Sequence, residues 1–427
     1  MTNVTRMELF PGVHLTAVHT KKFKSSVIGV ELLTPISADT AAANALVPMV
    51  LRRGTKRCPD MESLSAALDD LYGGWIEPTV SKKGETQCVG FSGSFLDDAY
   101  TLDGSQILES AAALYGELLL HPAQAGEGFV PAYVEGERSN LIDRIRAQIN
   151  EKRQYALSRV TAEMCSTEPF GVDKLGNEAQ AAALDSAALW DRYQALLSQA
   201  AVEVYFCGSA TPERVKQAFL SALEDLPRTK DRFQPAPCLQ KEAPAVPKLV
   251  EETLDVTQGK LTMGLRTGGI TVRDPDYPAL ALCTAVFGGT TTSKLFLNVR
   301  ERLSLCYYAS AQLEKLKGVM LVSSGVEFDK VEEAKAEILA QLEHCKRGEI
   351  EDWELEGARR SLVSTLHTAA DVQSRLEDYW LSQAVAGLNE PPEALADRIE
   401  SVTKEQVVAA AQRLSLDTVY FLKGKEG

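Results

Sequence analysis

Residues 61–95 read MESLSAALDDLYGGWIEPTVSKKGETQCVGFSGSF, and the order of patterns in them decides the fold. Met61 to Tyr72 predicts a helix, ended by Gly73-Gly74 because glycine accepts the left-handed conformation that closes a helix. Two alternating runs follow, Trp75 to Ser81 and Glu85 to Phe95, joined by Lys82-Lys83-Gly84, which is the pattern of a β-hairpin. Just upstream lie an apolar strand, Val27 to Leu33, and a helical stretch from about Asp39 to Arg53.

The same order returns in the second half. Strand Leu261 to Leu265 leads to helix Tyr277 to Phe287, stopped at Gly288-Gly289. Helix Ser293 to Leu303 follows, then paired runs Cys306 to Leu313 and Val319 to Val326 around Lys317-Gly318. Each half continues into long helices: Ile107 to Leu120 and Tyr133 to Met164 in the first, Lys330 to Cys345 and Ile350 to Ala386 in the second. Each closes on an apolar strand, Ala201 to Cys207 and Thr418 to Leu422. A repeated order of elements marks an internal duplication. The expected class is α+β, in two similar halves.

Between the halves, Pro227 to Pro247 holds five of the chain's 18 prolines and reads as a semi-extended linker. The expected domains are therefore 1–226, a linker at 227–247, and 248–427. The chain has 427 residues, 45% hydrophobic and 24% charged, the composition of an ordinary globular protein. Its net charge is −14, and both halves are acidic, with 20 basic against 29 acidic residues before Pro227 and 25 against 30 from there on. No basic face is available for a polyanion, so nucleic acid is excluded as a partner. No apolar run spans a bilayer, which needs about 18–20 residues, and Met1 to Thr20 lacks the features of a signal peptide. A cytoplasmic location is expected.

Several chemistries fail on spacing. The eight cysteines include no C-x-x-C pair and read as free, buried thiols. Gly288 to Lys294 misses the phosphate-loop pattern, because Ser293 stands where glycine must precede the lysine. No G-x-S-x-G elbow is present. None of His14, His19, His121, His344 and His367 has a second histidine three or four residues away, so no helical face offers two to a metal.

Leu51-Arg52-Arg53-Gly54-Thr55, followed by the helix, the double glycine and the strand pair, resembles the insulinase/pitrilysin-like (inverzincin) metallopeptidases, in their mitochondrial-processing-peptidase-like bacterial branch. The second half adds to this. Phe287-Gly288-Gly289, Ser293-Lys294-Leu295-Phe296, Val299-Arg300-Glu301-Arg302 and Leu305-Cys306-Tyr307 are similar to the family's G-G…S-R-L-F…V-R-E-K-x-G-L-x-Y signature. Ser304 departs from it, standing where the signature has glycine. The resemblance implies an α+β fold of two homologous halves, each a mainly antiparallel sheet with helices on one face.

The resemblance implies a zinc site built on H-x-x-E-H and a later glutamate. Counted back from Gly54-Thr55, the first three positions fall on Ala45, Pro48 and Met49; the glutamate of the family's E-R-x-x-V-x-x-E pattern, set on Glu137-Arg138, falls on Arg144. Alanine has no donor atom, proline no base, methionine only a soft thioether, and arginine is a fixed cation. A zinc hydrolase needs ligands, an open coordination position and a general base. This chain is expected to supply none of them and to carry no cofactor of its own. Arg300 and Tyr307, by contrast, match the pair that holds the substrate backbone in this family. The resemblance therefore implies a non-catalytic subunit that pairs with a zinc-bearing homologous peptidase subunit and acts on peptides or small proteins. The alternative is a purely structural scaffold of the same fold.

Overall fold

A computed structural model describes residues 3–425 and resolves two compact units. Within the described residues the first comprises 3–146, 172–236 and 373–387; the second comprises 147–171, 237–372 and 388–425.

The first unit is built on six strands: β1 (Asn3–Phe10), β2 (Val13–His19), β3 (Ser25–Pro35), β4 (Trp75–Lys83), β5 (Thr86–Leu96) and β6 (Ala201–Gly208). They run in the order β1-β2-β6-β3-β5-β4, with only β2 and β6 parallel. The second unit has β7 (Lys248–Thr253), β8 (Gly259–Arg266), β9 (Cys306–Glu314), β10 (Val319–Val326) and β11 (Ser415–Lys423). Their order is β9-β10-β8-β11-β7, with only β11 and β7 parallel. Reading β2-β6-β3-β5-β4 against β7-β11-β8-β10-β9, the two sheets have one topology, and the first carries β1 in addition. The duplicated α+β fold expected from the order of patterns is therefore present, with sheets that are mainly antiparallel.

Every residue of β6, AVEVYFCG, is buried, which requires cover on both faces of the sheet. One face is apolar: Val13, Leu15, Ile28, Val30, Val204 and Phe206 pack into the core formed with the helices Ile107–Leu120, Ser186–Gln199 and Pro212–Ala222. The helix Gln373–Ala386, from late in the sequence, packs on β6 and β3. In the second unit the helix Lys152–Met164 packs on β8 and β11, joining Leu157, Val160 and Met164 to Leu321, Tyr420 and Leu422. Helices therefore cover more of each sheet than the single face expected. The equivalent strands β3 and β8 each place a glycine where the added helix comes closest. A Cβ on Gly29 would lie 2.1 Å from Glu377 Oε1, and one on Gly264 would lie 2.4 Å from Met164 Sδ.

The units also differ from the sequence divisions at 226 and 247. The continuous helix expected over Tyr133–Met164 is two helices, Pro131–Ala147 and Lys152–Met164, and the expected Ile350–Ala386 helix is Asp352–Ala369 followed by Gln373–Ala386. Each break coincides with a passage of the chain between units. The proline-rich linker is divided as well. Its first part is strapped to the first unit, where Thr229 N–H donates to the Ser198 carbonyl (3.1 Å) and Phe233 N–H to that of Gln199 (2.8 Å). Among the described residues, no helix is long and apolar enough to cross a membrane.

Candidate functional site

The helix Ala41–Leu51 carries three of the four positions singled out by the zinc motif, and all eleven of its residues are buried. Ala45, Pro48 and Met49 are spaced i, i+3, i+4 and so share one face. Ala45 has no exposed surface and Met49 is 4% exposed, so this face is filled rather than hollow. Pro48 sits inside the helix, where it cannot donate to the Asn44 carbonyl. The helix is held from its polar side instead. Asn44 Nδ2 donates to Gln87 Oε1 (2.7 Å), Gln87 Nε2 donates to the Ala41 carbonyl (3.0 Å), and Arg192 Nε donates to Asn44 Oδ1 (2.5 Å).

Arg144 lies on the helix Pro131–Ala147 and is exposed. Its Nη1 stands 3.8 Å from Met49 Sδ, so the fourth position meets the third. Two turns earlier, Glu137 accepts a hydrogen bond from Arg53 Nη1 (3.1 Å), and the Arg53 guanidinium lies over the ring of Tyr133, a turn further back, at 5.5 Å. The neighbouring carboxylate, Asp143, is directed at Arg146, 4.0 Å away. The residues at these positions do not fit a zinc ion. They offer a methyl group, an imino acid, one thioether and a guanidinium, and the nearby Glu137 is already paired with Arg53.

The second unit holds Arg300 and Tyr307. Phe287-Gly288 closes a π-helical turn, Ala285–Gly289, and Leu295–Arg302 is a second π-helical segment that carries Arg300. π-helical turns collect at functional sites in proteins generally. The Arg300 guanidinium stacks on Phe296 at 4.7 Å, with Nη1 3.5 Å from Glu301 Oε1, and the side chain stays 40% exposed. The segment is anchored at its start by a buried ion pair, in which Lys294 Nζ donates to both Glu354 oxygens at 2.9 and 3.0 Å. Glu354 also accepts from the Glu351 N–H at 2.8 Å and so caps the next helix.

After this segment, Ser304 takes φ +51°, the left-handed region that explains why the related signature has glycine there. Tyr307 is the bulged residue of β9: Cys306 pairs with Val326 and Tyr308 with Gly325, leaving Tyr307 without an opposite residue. The bulge turns it outward to 60% exposure, where its hydroxyl donates to Glu327 Oε1 at 3.4 Å. Among the described residues, no hydrogen bond joins Arg300 to Tyr307.

Sequence reasoning missed Asn44, Gln87, Arg192, Glu354 and the bulge. Lys294 lay within a quoted motif, but its partner is sixty residues away and carries no local pattern. Among the described residues the eight cysteines form no disulfide; seven are buried and Cys238 is half-buried.

Comparison with known proteins bears on this arrangement. The family described as Peptidase M16 inactive domain matches residues 183–362. The chain is 33% identical over 416 residues to the "Probable inactive metalloprotease YmfF" of Bacillus subtilis, covering 97% of both chains. In structure it is similar to a conserved protein from Enterococcus faecalis (TM-score 0.89, 26% identity, covering 100% of this chain and 99% of the other). It shares its fold with a peptidase M16 inactive domain from Pseudomonas fluorescens (TM-score 0.80, 15% identity, covering 99% and 98%). The full-length identity and the repeated sheet topology together place the chain in the M16, insulinase/pitrilysin-like peptidase family, as an inactive member of it.

Proposed function

We propose that this chain is the non-catalytic subunit of a two-subunit peptidase. It contributes Arg300 and Tyr307 to a cleft whose zinc and general base belong to a homologous partner, and its substrates are peptides or small proteins. The observation that carries this reading is the outward bulge at Tyr307, which holds a phenol 60% exposed with a single long hydrogen bond to Glu327. Strand bulges re-aim side chains, here toward the exposed side of an edge strand. Arg300, also exposed, presents a planar fork of N–H donors suited to peptide carbonyls. In a shared cleft Tyr307 would donate to a carbonyl oxygen as charge develops on it, and Arg300 would bind the backbone beside it.

The experiment is purification of the tagged full-length chain from its native cell, mass spectrometry of what accompanies it, and peptide hydrolysis by the reconstituted pair. Activity should require both chains. Tyr307→Phe should lower kcat about a hundred- to a thousandfold, the cost of one oxyanion donor (roughly 2.7–4 kcal/mol). Arg300→Ala should raise KM, with an effect of about 1.5–3 kcal/mol for a hydrogen bond to a charged group. Full activity in the double variant would make the chain a scaffold only.

A further inference from the structure

The linker strap 228–233 and the helix Ser186–Gln199 border a groove of about 390 Å³ in the first unit, within the range of small-molecule sites, roughly 300–1,000 Å³. Arg192, Thr34, Gln199 and Arg232 supply its polar lining; Leu196 and Phe233 supply apolar surface. Three guanidinium groups gather here. Arg192 Nε donates to Asn44 Oδ1 and its Nη2 to Thr34 Oγ1 (3.3 Å), while Nη1 has no partner among the described residues. Arg228 is spent on the carbonyls of Leu197, Gly12 and Ala200, at 3.1, 3.2 and 2.8 Å, and its Nε is buried without a partner. Arg232 Nη1 donates to the Thr229 carbonyl at 2.5 Å.

Among the described residues, none of the three forms an ion pair. The one carboxylate in the lining, Asp231, is exposed and pairs with none of them. Unpaired half-buried cations are costly, and elsewhere in this chain buried arginine is neutralised, as Arg266 is by Glu168 and Asp417. Burial alone holds Arg192 below the ordinary arginine range, and burial together with the positive charge of Arg232 pushes Arg228 down to about 10. In a chain of net charge −14, such a concentration of uncompensated positive charge around a ligand-sized groove calls for an anion.

We propose that this groove binds a small organic oxyanion, a carboxylate or phosphate ester on an apolar body. Arg192 and Arg232 hold the anionic group, and Phe233 with Leu196 packs the body. Arginine's rigid fork matches both anions.

The test is calorimetric titration of the full chain with benzoate, phenyl phosphate and benzyl alcohol, which share one ring and differ in the charged group. One oxyanion should bind saturably at a single site, more weakly as salt is raised, and benzyl alcohol should not bind. The tighter of the two identifies the source chemistry. Arg232→Gln and Arg192→Gln should each weaken binding about tenfold or more, as loss of a charge-assisted hydrogen bond does. If Arg192→Gln unfolds through its contact with Asn44, Arg232→Gln alone decides. Equal binding of benzyl alcohol, undiminished binding by Arg232→Gln, or no binding of either oxyanion at about 10 mM, weaker than any ordinary specific site, would overturn the proposal.

Discussion

Arg144 Nη1 stands 3.8 Å from Met49 Sδ, one residue on each of two helices ninety-five positions apart in sequence. A guanidinium and a thioether thus meet where the resemblance leads one to expect two metal ligands, and Ala45 on the same helix is wholly buried. The site is filled in rather than merely stripped of donors. Rebuilding it should therefore be a packing problem first. Ala45→His should cost about 1–3 kcal/mol of stability as an overpacked core substitution, read as a drop in melting temperature. Elemental analysis of the dialysed wild type should find no stoichiometric zinc; a tightly bound equivalent would contradict the account of these four residues.

Glu31 and Glu377 meet on the face of the first sheet beneath the helix Gln373–Ala386. Thr79 Oγ1 donates to Glu31 Oε1 at 2.6 Å and Ser92 Oγ to Glu377 Oε2 at 2.9 Å, while Glu31 Oε2 is buried without a partner. Burial pushes the Glu31 carboxyl up to about 8, with the nearby Glu377 adding to it and Lys83 opposing, and burial pushes Glu377 up to about 7. Both exceed the value of 4.5 for an unperturbed glutamate, so between that value and the folded-state values the native chain binds more protons than the unfolded one. Stability from this pair is complete at low pH and is lost as pH rises toward 8. Glu31→Gln should flatten that slope. The variant should match the wild type near pH 5 and melt above it near pH 8.5; a wild-type advantage at the higher pH would refute the assignment.

The Lys294–Glu354 pair, with side chains 6% and 5% exposed, anchors the π-helical segment that carries Arg300. Removing one partner strands a buried charge. Lys294→Met alone should cost about 3–5 kcal/mol, and adding Glu354→Leu should recover most of it. A double-mutant cycle in urea measures both, and failure of the second change to rescue the first would show that the cost does not come from a stranded charge.

Ser304 holds φ +51° one turn before Tyr307. A left-handed conformation costs a residue with a Cβ roughly 1–2 kcal/mol, partly offset in a glycine variant by its freer unfolded chain, about 0.4–1 kcal/mol. Ser304→Gly should therefore stabilise the second unit by up to about 1 kcal/mol. A loss of stability would mean that the hydroxyl makes a contribution the geometry does not reveal.

Much of the site could be read along the chain because its signals are local. Counting back from Gly54-Thr55 named Ala45, Pro48 and Met49, and counting along a second pattern named Arg144. Their meeting needed two helices to be packed together. Asn44, Gln87 and Arg192 form one buried network across separations of 43 and 148 residues, and nothing near any of them in sequence announces it. Tyr307 was legible as a motif residue, but its exposure comes from the β9 bulge, which exists only against β10.

By itself the sequence determined the α+β class and the repeated order of elements, because alternation and glycine stops act over a few residues. Tertiary structure alone decided where two long helices break. Residues 148–151 and 370–372 contain neither glycine nor proline, and helical periodicity runs through them unbroken. Yet the chain leaves the helix there, and the segments that follow, Lys152–Met164 and Gln373–Ala386, each bury a face on the sheet of a different unit from the helix before them. Burying that face outweighs the hydrogen bonds of one continuous turn, and such a balance is struck only where both surfaces are already in place.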